Sequence, residues 1–389
     1  MEAVDVASRF VGVRVRRLRG WREVAALGVV VVGIVGGVVG WQVTRGPGSG
    51  CFPAGAASLR LVENADRPLR WMRGFITSVL GSNAQPGAVF ATPDTYGLYM
   101  GSGHPFRWRR VTRYAPDLAV VAGTRHEALY GTAGALWRST TEGRTWTRLS
   151  CNLGIAAATP EGGVAVSPSD QSSLYVVGQP GDYPLNHLGG YYRSTNGGKT
   201  WSRSTVGATT DNGPALQAVA VNPRDPNDVT VASYYGGVFR TGNGDEWAFT
   251  KLPGPLHPWD GQQVETLAYG AGPTPLLWAG TTNGAFRRSP DGTWVRAGLH
   301  GHGVTVFPDA RLAGVALAIL GYNGTSRACV RRTANTGRTW QPVHALPCTV
   351  SGISIQPSDD TIYAWTAHTI YQSTNHGKTW TKLPPLPMG

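Results

Sequence analysis

Trp108, Trp146, Trp201, Trp247, Trp294, Trp340 and Trp380 are separated by 38, 55, 46, 47, 46 and 40 residues. A unit of about 45 residues that contributes one large aromatic side chain each time predicts a radial β-repeat, in which every unit is one small sheet and neighbouring sheets cover each other's faces. Four short runs recur inside a unit. In one unit they are Val164-Ala165-Val166, Leu174 to Val177, Tyr191 to Ser194 and the residues after Trp201, with Ser167-Pro168-Ser169-Asp170 as the first turn. The order repeats at Ala220-Val221, Val229 to Ala232 and Val238 to Arg240, and again at Ile353 to Ile355, Thr361 to Trp365 and Ile370 to Gln372. Short strands punctuated by Gly, Pro, Asn and Asp describe propeller blades. The expected fold is therefore all-β, a β-propeller of four-stranded blades over residues 71–389. The tryptophans indicate seven blades; the first unit is faint enough to leave six or eight open.

Most of these tryptophans close a short motif whose fullest copy is Ser194-Thr195-Asn196-Gly197-Gly198-Lys199-Thr200-Trp201. Ser139 to Trp146, Thr333 to Trp340 and Ser373 to Trp380 repeat it, and Ser289 to Trp294 is two residues shorter. The third-position side chain (Asn196, Asp291, Asn335, Asn375) is suited to accept backbone N–H groups of its own turn. The fifth-position glycine (Gly143, Gly198, Gly337, Gly377) supplies a positive φ. The threonine adds a hydroxyl bond, and Trp146, Trp201, Trp294, Trp340 and Trp380 bury an apolar face between sheets. The motif reads as a turn-stabilising device between third and fourth strands.

The pattern Ser-x-Asp-x-Gly-x-Thr-Trp resembles the Asp-box, or bacterial neuraminidase repeat, over roughly residues 71–385. The resemblance extends to sialidases, xyloglucan-cleaving glycosidases, sortilin-type receptor ectodomains and photosystem II assembly-factor propellers. Asn222-Pro223-Arg224-Asp225-Pro226 before Gly236-Gly237-Val238-Phe239-Arg240-Thr241 is most similar to the last two. It implies the propeller fold and says little of function. Sialidase chemistry, as the resemblance implies it, needs three arginines on a carboxylate, a Tyr/Glu nucleophile pair and an acid Asp. The Arg-Ile-Pro signature of those enzymes is absent, and Asp66-Arg67-Pro68 is its nearest counterpart.

One segment breaks the strand pattern. Val24 to Val43 holds 20 residues without a charge, a length that matches a membrane-spanning helix. Arg9, Arg14, Arg16, Arg17, Arg19 and Arg22 precede it and Arg45 alone follows closely. The positive-inside rule then places residues 1–23 in the cytoplasm, 24–43 as a signal-anchor helix, 44–70 as linker and the propeller outside, at the cell membrane. The run is too long for a cleaved signal peptide. Gly33, Gly36, Gly37 and Gly40 give two Gly-x-x-x-Gly spacings that would let two such helices dimerise.

All four cysteines lie on the exported side, where disulfides form. Cys329 and Cys348 fall in one repeat and are the expected pair, which leaves Cys51 with Cys151. No Cys/His spacing fits zinc, and no cofactor or metal is expected. The net charge of +12 is of a size that suits anionic partners such as acidic polysaccharide, phospholipid headgroups or nucleic acid, but it reads first as a solvated bias that comes with the repeated turns. The Lys and Arg are dispersed, and no nucleic-acid-binding signature accompanies them.

In a four-stranded meander the 1–2 and 3–4 turns share one face, and the 2–3 and 4–1 loops share the other. The boxes therefore lie opposite the long loops, which place Tyr183, His187, His257 and Trp259 on one rim as candidate ligand contacts. Asp182, Asp211, Asp260 and Glu265 are the candidate catalytic carboxylates, with no spacing that selects a pair. His300 and His302 read as a solvated turn ahead of a metal pair. The expected function is a membrane-anchored, non-catalytic module that binds a glycan or protein ligand. The alternative is a glycoside hydrolase acting on extracellular polysaccharide.

Overall fold

The computed structural model describes residues 30–35, 38–43, 75–82, 85–93, 97–112, 119–123, 129–132, 136–149, 163–178, 190–204, 216–233, 237–244, 250–251, 263–289, 292–301, 303–321, 329–357 and 359–387. From residue 75 onward these form seven four-stranded antiparallel sheets, each a meander of consecutive strands. Sheet 1 comprises Ile76–Gly81, Val89–Pro93, Leu98–Ser102 and Arg107–Thr112; sheet 2 comprises Ala119–Gly123, Leu129–Thr132, Leu136–Ser139 and Thr147–Arg148. Sheet 3 comprises Val164–Val166, Leu174–Gly178, Gly190–Ser194 and Ser202–Ser204; sheet 4, Leu216–Val221, Val229–Ser233, Gly237–Thr241 and Thr250–Lys251. Sheet 5 comprises Val264–Tyr269, Leu277–Thr281, Gly284–Arg288 and Trp294–Arg296; sheet 6, Val304–Pro308, Ala316–Leu320, Cys329–Thr333 and Gln341–Pro342. Sheet 7 comprises Gly352–Ile355, Ile362–Trp365, Ile370–Ser373 and Thr381–Lys382.

The first strands of successive sheets touch one another in cyclic order, and the first strand of sheet 7 returns to that of sheet 1. This is propeller architecture, with the first strands innermost. Second strands are the most buried: Val229–Ser233 and Leu277–Thr281 are buried at every position. A strand covered on both faces must be apolar or small at each residue, which their valines, alanines and threonines satisfy. The core is correspondingly a series of clusters between sheets, such as Ala218, Ala232 and Val238 of sheet 4 against Val264, Leu267 and Phe286 of sheet 5.

Among the described residues no strand is shared between the last sheet and the first, and side chains and the residues after the last strand join the two. Ile76, Val79, Val89 and Tyr99 pack against Tyr363, Trp365 and Ile370, and Leu383 and Leu386 of the C-terminal tail join them. Trp108 Nε1 donates to Pro384 O at 2.7 Å, Ile76 N to Ala367 O at 2.8 Å and Gly87 N to Asp359 Oδ2 at 3.0 Å.

The box turns are built as their residues require, with two additions. The third-position amide accepts the threonine N–H: Asn196 Oδ1 from Thr200 N at 2.9 Å, Asn335 from Thr339 at 3.0 Å and Asn375 from Thr379 at 2.9 Å. The first-position hydroxyl, unassigned from sequence, accepts the buried glycine N–H. Gly143, Gly198, Gly337 and Gly377 donate to Ser139, Ser194, Thr333 and Ser373 at 2.8 to 3.0 Å. The fourth position also has positive φ, even in Glu142 (54°), Thr336 (57°) and His376 (58°). Each box therefore holds two consecutive left-handed residues. Trp146, Trp201 and Trp380 donate Nε1 to the box glycine O at 2.9 to 3.1 Å, whereas Trp340 reaches Ala297 O of the preceding sheet at 2.6 Å. Trp146 and Trp340 are buried between sheets, as expected. Trp201, Trp294 and Trp380 pack against their clusters partly buried. Asp291 lies outside the described residues.

Two further expectations have clear outcomes. Cys329 and Cys348 form a disulfide, tying the third strand of sheet 6 to the loop that leads into sheet 7; Cys51 and Cys151 lie outside the described residues. Within the helix expected over residues 24–43, the described residues Val30–Val35 and Val38–Val43 pair as an antiparallel hairpin, and the rest of that span lies outside the described residues. Valine is β-branched and stiff at χ1, which favours strands, and Gly36-Gly37 is suited to a two-residue hairpin connection. Gly33 stands opposite Gly40 in that register, so the Gly-x-x-x-Gly helix face expected for dimerisation is absent there. Among the described residues no helix is long and apolar enough to cross a membrane. The basic N-terminus (1–23) and the linker (44–70) lie outside them.

Candidate ligand-binding face

The two faces of the ring differ in what their polar groups do. On the box face, side chains close on each other. Arg240 grips Asp228 through Nε at 2.6 Å and Nη2 at 2.7 Å, and this pairing holds the guanidinium well above the ordinary arginine value. Asp170 accepts from the Ser173 and Ser172 hydroxyls at 2.6 and 2.7 Å, and those bonds keep its carboxyl below the usual range. Asp309 accepts from Arg311 N, Leu312 N and the His376 ring. An arginine immediately before the box also reaches the fourth-position carbonyl of the next sheet's box. Arg138 Nη1 donates to Gly197 O at 3.3 Å, Arg193 Nη1 to Gly244 O at 2.9 Å and Arg332 Nε to His376 O at 2.7 Å. The sequence carries this signal openly, since arginine precedes the box at residues 138, 193, 240, 288 and 332.

The opposite face is where the 2–3 and 4–1 connections emerge. Of the rim residues chosen from sequence, Asp182, Tyr183, His187, Asp211, His257, Trp259, Asp260 and His302 lie outside the described residues. Glu265 is described, and its setting is unusual. First strands of sheets 1, 2, 4 and 5 each carry a β-bulge near the end that enters from this face. A bulge leaves one residue out of the alternation and re-aims its side chain. In sheets 1, 4 and 5 the bulged residues are Thr77, Gln217 and Glu265. Their neighbours are committed to packing: Val264 joins the cluster with sheet 4, and the Thr266 hydroxyl accepts from Val306 N of sheet 6 at 3.0 Å.

These three residues put a hydroxyl, an amide and a carboxyl on the innermost strands at the loop-side end of the ring. The Thr77 hydroxyl donates to Thr92 O at 2.7 Å, and the Gln217 amide donates across the sheet boundary to Val264 O. Glu265 is half-buried, and among the described residues nothing donates to its carboxyl. Burial pushes its pKa up. Such a group can hold a ligand by accepting or, when protonated, donating a hydrogen bond. Two-carboxylate hydrolysis needs a second acid at a defined separation, and among the described residues none accompanies Glu265. Nor do the described residues hold a group of three His, Cys, Asp or Glu suited to a metal. His300 stands 3.4 Å from Arg296 Nη1, which itself lies over the Phe286 ring.

The same face presents an aromatic pair that sequence reading passed over. Phe75 is 53 % exposed and lies 5.2 Å from the His368 ring, across the seam between sheets 1 and 7. An exposed phenylalanine beside a ring seam is distinguishable only once the seam is known.

No family model matches the sequence, and no curated protein matches it. Solved structures do share its fold. The GH74 xyloglucanase from Xanthomonas campestris superposes with a TM-score of 0.60 at 19% identity, covering 78% of this chain and 52% of the xyloglucanase. A GH74 enzyme from Niastella koreensis gives 0.58 at 15% identity over 79% of this chain and 53% of the enzyme. The extracellular domain assigned to a hybrid two-component system of B. thetaiotaomicron gives 0.55 at 14% identity over 78% of this chain and 39% of that one. The chain thus spans about half the length of these hydrolases, and what it shares with all three is the propeller fold.

Proposed function

We propose that this protein is a seven-bladed Asp-box propeller that binds a glycan or a protein segment on its loop-bearing face without cleaving it. The observation that carries this reading is the contrast at Glu265: a half-buried carboxyl with a raised pKa, on the strand next to that of Gln217, whose amide donates to Val264 O, and no second acid beside it among the described residues. A lone protonatable carboxyl among hydrogen-bonding groups is suited to recognition, whereas glycoside hydrolysis divides its work between two. The similarity to an extracellular domain of a sensor system is compatible with a propeller that binds and does not cut. The hydrolase alternative draws on the similarity to GH74 enzymes and would place its second acid at Asp182, Asp211 or Asp260.

We also propose that the chain is held at the outer face of a cell membrane. The support is the uncharged run of residues 24–43 behind six arginines. A lone hairpin leaves unpaired strand edges that a bilayer core does not tolerate, so insertion would require residues 30–43 to give up the pairing described above. The experiment for function is a glycan and peptide array probed with the full chain and with Glu265→Gln, alongside product analysis of every retained ligand. Retention by the wild type, weakened in the variant and with ligands recovered intact, supports the reading; cleaved products that vanish with Glu265→Gln refute it. For location, alkaline extraction should leave the chain in the membrane pellet, and release into the supernatant would refute anchoring.

A further inference from the structure

Arg332 differs from Arg193 and Arg240, two of the other arginines that precede a box. In sheet 4 the residue before the second strand is Asp228, and it neutralises Arg240. In sheet 6 the residue at that place is Val315. Asp309, the nearby acid whose charge Arg332 feels, is already bonded to the His376 ring at 2.8 Å. Arg193 spends its Nη groups on Gly244 O and Asn227 Oδ1. Arg332 commits Nε to His376 O, and among the described residues nothing accepts from its Nη groups. Burial pushes this guanidinium below its ordinary value, and the attraction of Asp309 offsets that in part.

That side chain opens into a cleft of about 550 Å³ between the boxes of sheets 6 and 7. Lys378 and His344 also line it, and no carboxylate does. The remaining polar lining is Asn335, Thr339 and Gln341. Asn335 Nδ2 donates to Thr339 Oγ1 at 2.8 Å, which leaves the threonine proton free for another acceptor. The outer wall is built in advance: Val343 N bonds Val330 O at 3.0 Å, and the Cys329–Cys348 disulfide fixes the loop beyond it. Preorganised walls reduce the entropy lost on binding.

We propose that this cleft is a second binding site and takes an acidic saccharide, its carboxylate or sulfate held by Arg332 and Lys378 and its hydroxyls by Asn335, Thr339 and Gln341. A planar guanidinium recognises such oxyanions through paired N–H donors. A bare ion would fill a small part of the volume and leave the amides and hydroxyl unused, whereas two sugar rings suit both. The site lies on the box face, so it is independent of the loop-face reading.

The test is titration calorimetry of the full chain with digalacturonate, a sulfated chondroitin disaccharide, neutral galactobiose and inorganic phosphate, at low and high salt. At least one acidic disaccharide should bind saturably, more weakly at high salt, with galactobiose silent; which acidic one binds tells carboxylate from sulfate. Arg332→Gln should weaken that binding by about tenfold or more, the scale of one charge-assisted contact, and Lys378→Gln by roughly threefold. Arg144→Gln, an equal loss of charge at the exposed box of sheet 2, and Glu265→Gln on the other face should leave it unchanged. Lys378 is exposed, so its variant reports even if Arg332→Gln fails to fold. Silence from both acidic disaccharides, galactobiose or phosphate binding as tightly as either, or equal weakening by Arg144→Gln and Lys378→Gln would each overturn the proposal.

Discussion

Asn375 and Glu265 both carry short polar side chains on the same ring, and the molecule uses them in opposite ways. Asn375 accepts Thr379 N with one side-chain atom and donates to Thr379 Oγ1 with another, so its turn is complete without any partner from outside. Glu265 sits on a bulge, half-buried, with burial raising its pKa and no described donor to it. Apart from the Arg332 Nη groups, the box turns satisfy their own polar groups and pin blade to blade. The loop face keeps a half-buried carboxyl to which no described residue donates and which a ligand can engage. A scaffold that spends its polar groups locally on one face can afford an unmet one on the other.

That contrast can be broken by substitution. The largest effect is expected from Asp228→Ala, which removes the carboxylate partner of Arg240 and the acceptor of Asn222 Nδ2. Arg240 is partly exposed, and solvent offsets some of the loss, so a destabilisation of about 3 kcal/mol should appear as a lower midpoint in urea unfolding. Gly337→Ala comes next. Its φ is +79° and a Cβ there would stand 2.8 Å from the Ala297 Cβ, so about 2 kcal/mol should be lost, read as a reduced Tm. Ser194→Ala removes the acceptor of the buried Gly198 N–H and should cost about 1 kcal/mol by the same measurement. All three should leave loop-face binding intact in the folded fraction.

Glu265→Gln should do the reverse, reducing ligand retention while leaving stability near neutral pH equal or higher. The sign follows from the raised pKa. A folded-state pKa above the unfolded one stabilises the fold below the unfolded value and loses that contribution as pH rises through the folded value. The ordinary value is 4.5. Urea midpoints of wild type should therefore fall relative to Glu265→Gln as pH rises from below 4.5. Parallel pH profiles would mean that Glu265 has the same surroundings folded and unfolded.

What the sequence made legible was what is local. A box turn closes within eight residues, so Asn196, Gly198 and Trp201 declare their roles by spacing alone, and strands such as Leu174–Gly178 follow from the turns around them. The first-position hydroxyl and the left-handed fourth position escaped because Ser and Thr tolerate many roles and because Glu142, Thr336 and His376 do not announce a positive φ. The arginine clasp was readable as a repeat but joins residues 44 to 59 apart. Loop-face groups such as Thr77 of sheet 1, Gln217 of sheet 4 and Glu265 of sheet 5 share no motif, so only the ring puts them on one face. The valine-rich run at residues 30–43 reads two ways: its length and apolarity suit a membrane helix, while its β-branching suits the pairing of Val30–Val35 with Val38–Val43.

The most direct measurement is recovery of array-retained neutral ligand, which the acidic-saccharide cleft would not hold, from three full-length proteins: wild type, Asn375→Ala and Glu265→Gln, each confirmed folded by its circular dichroism. The account predicts intact ligand from wild type and Asn375→Ala in equal amounts, and markedly less from Glu265→Gln. Shortened ligand released by wild type but not by Glu265→Gln would contradict it, as would a loss of binding in Asn375→Ala with Glu265→Gln unaffected.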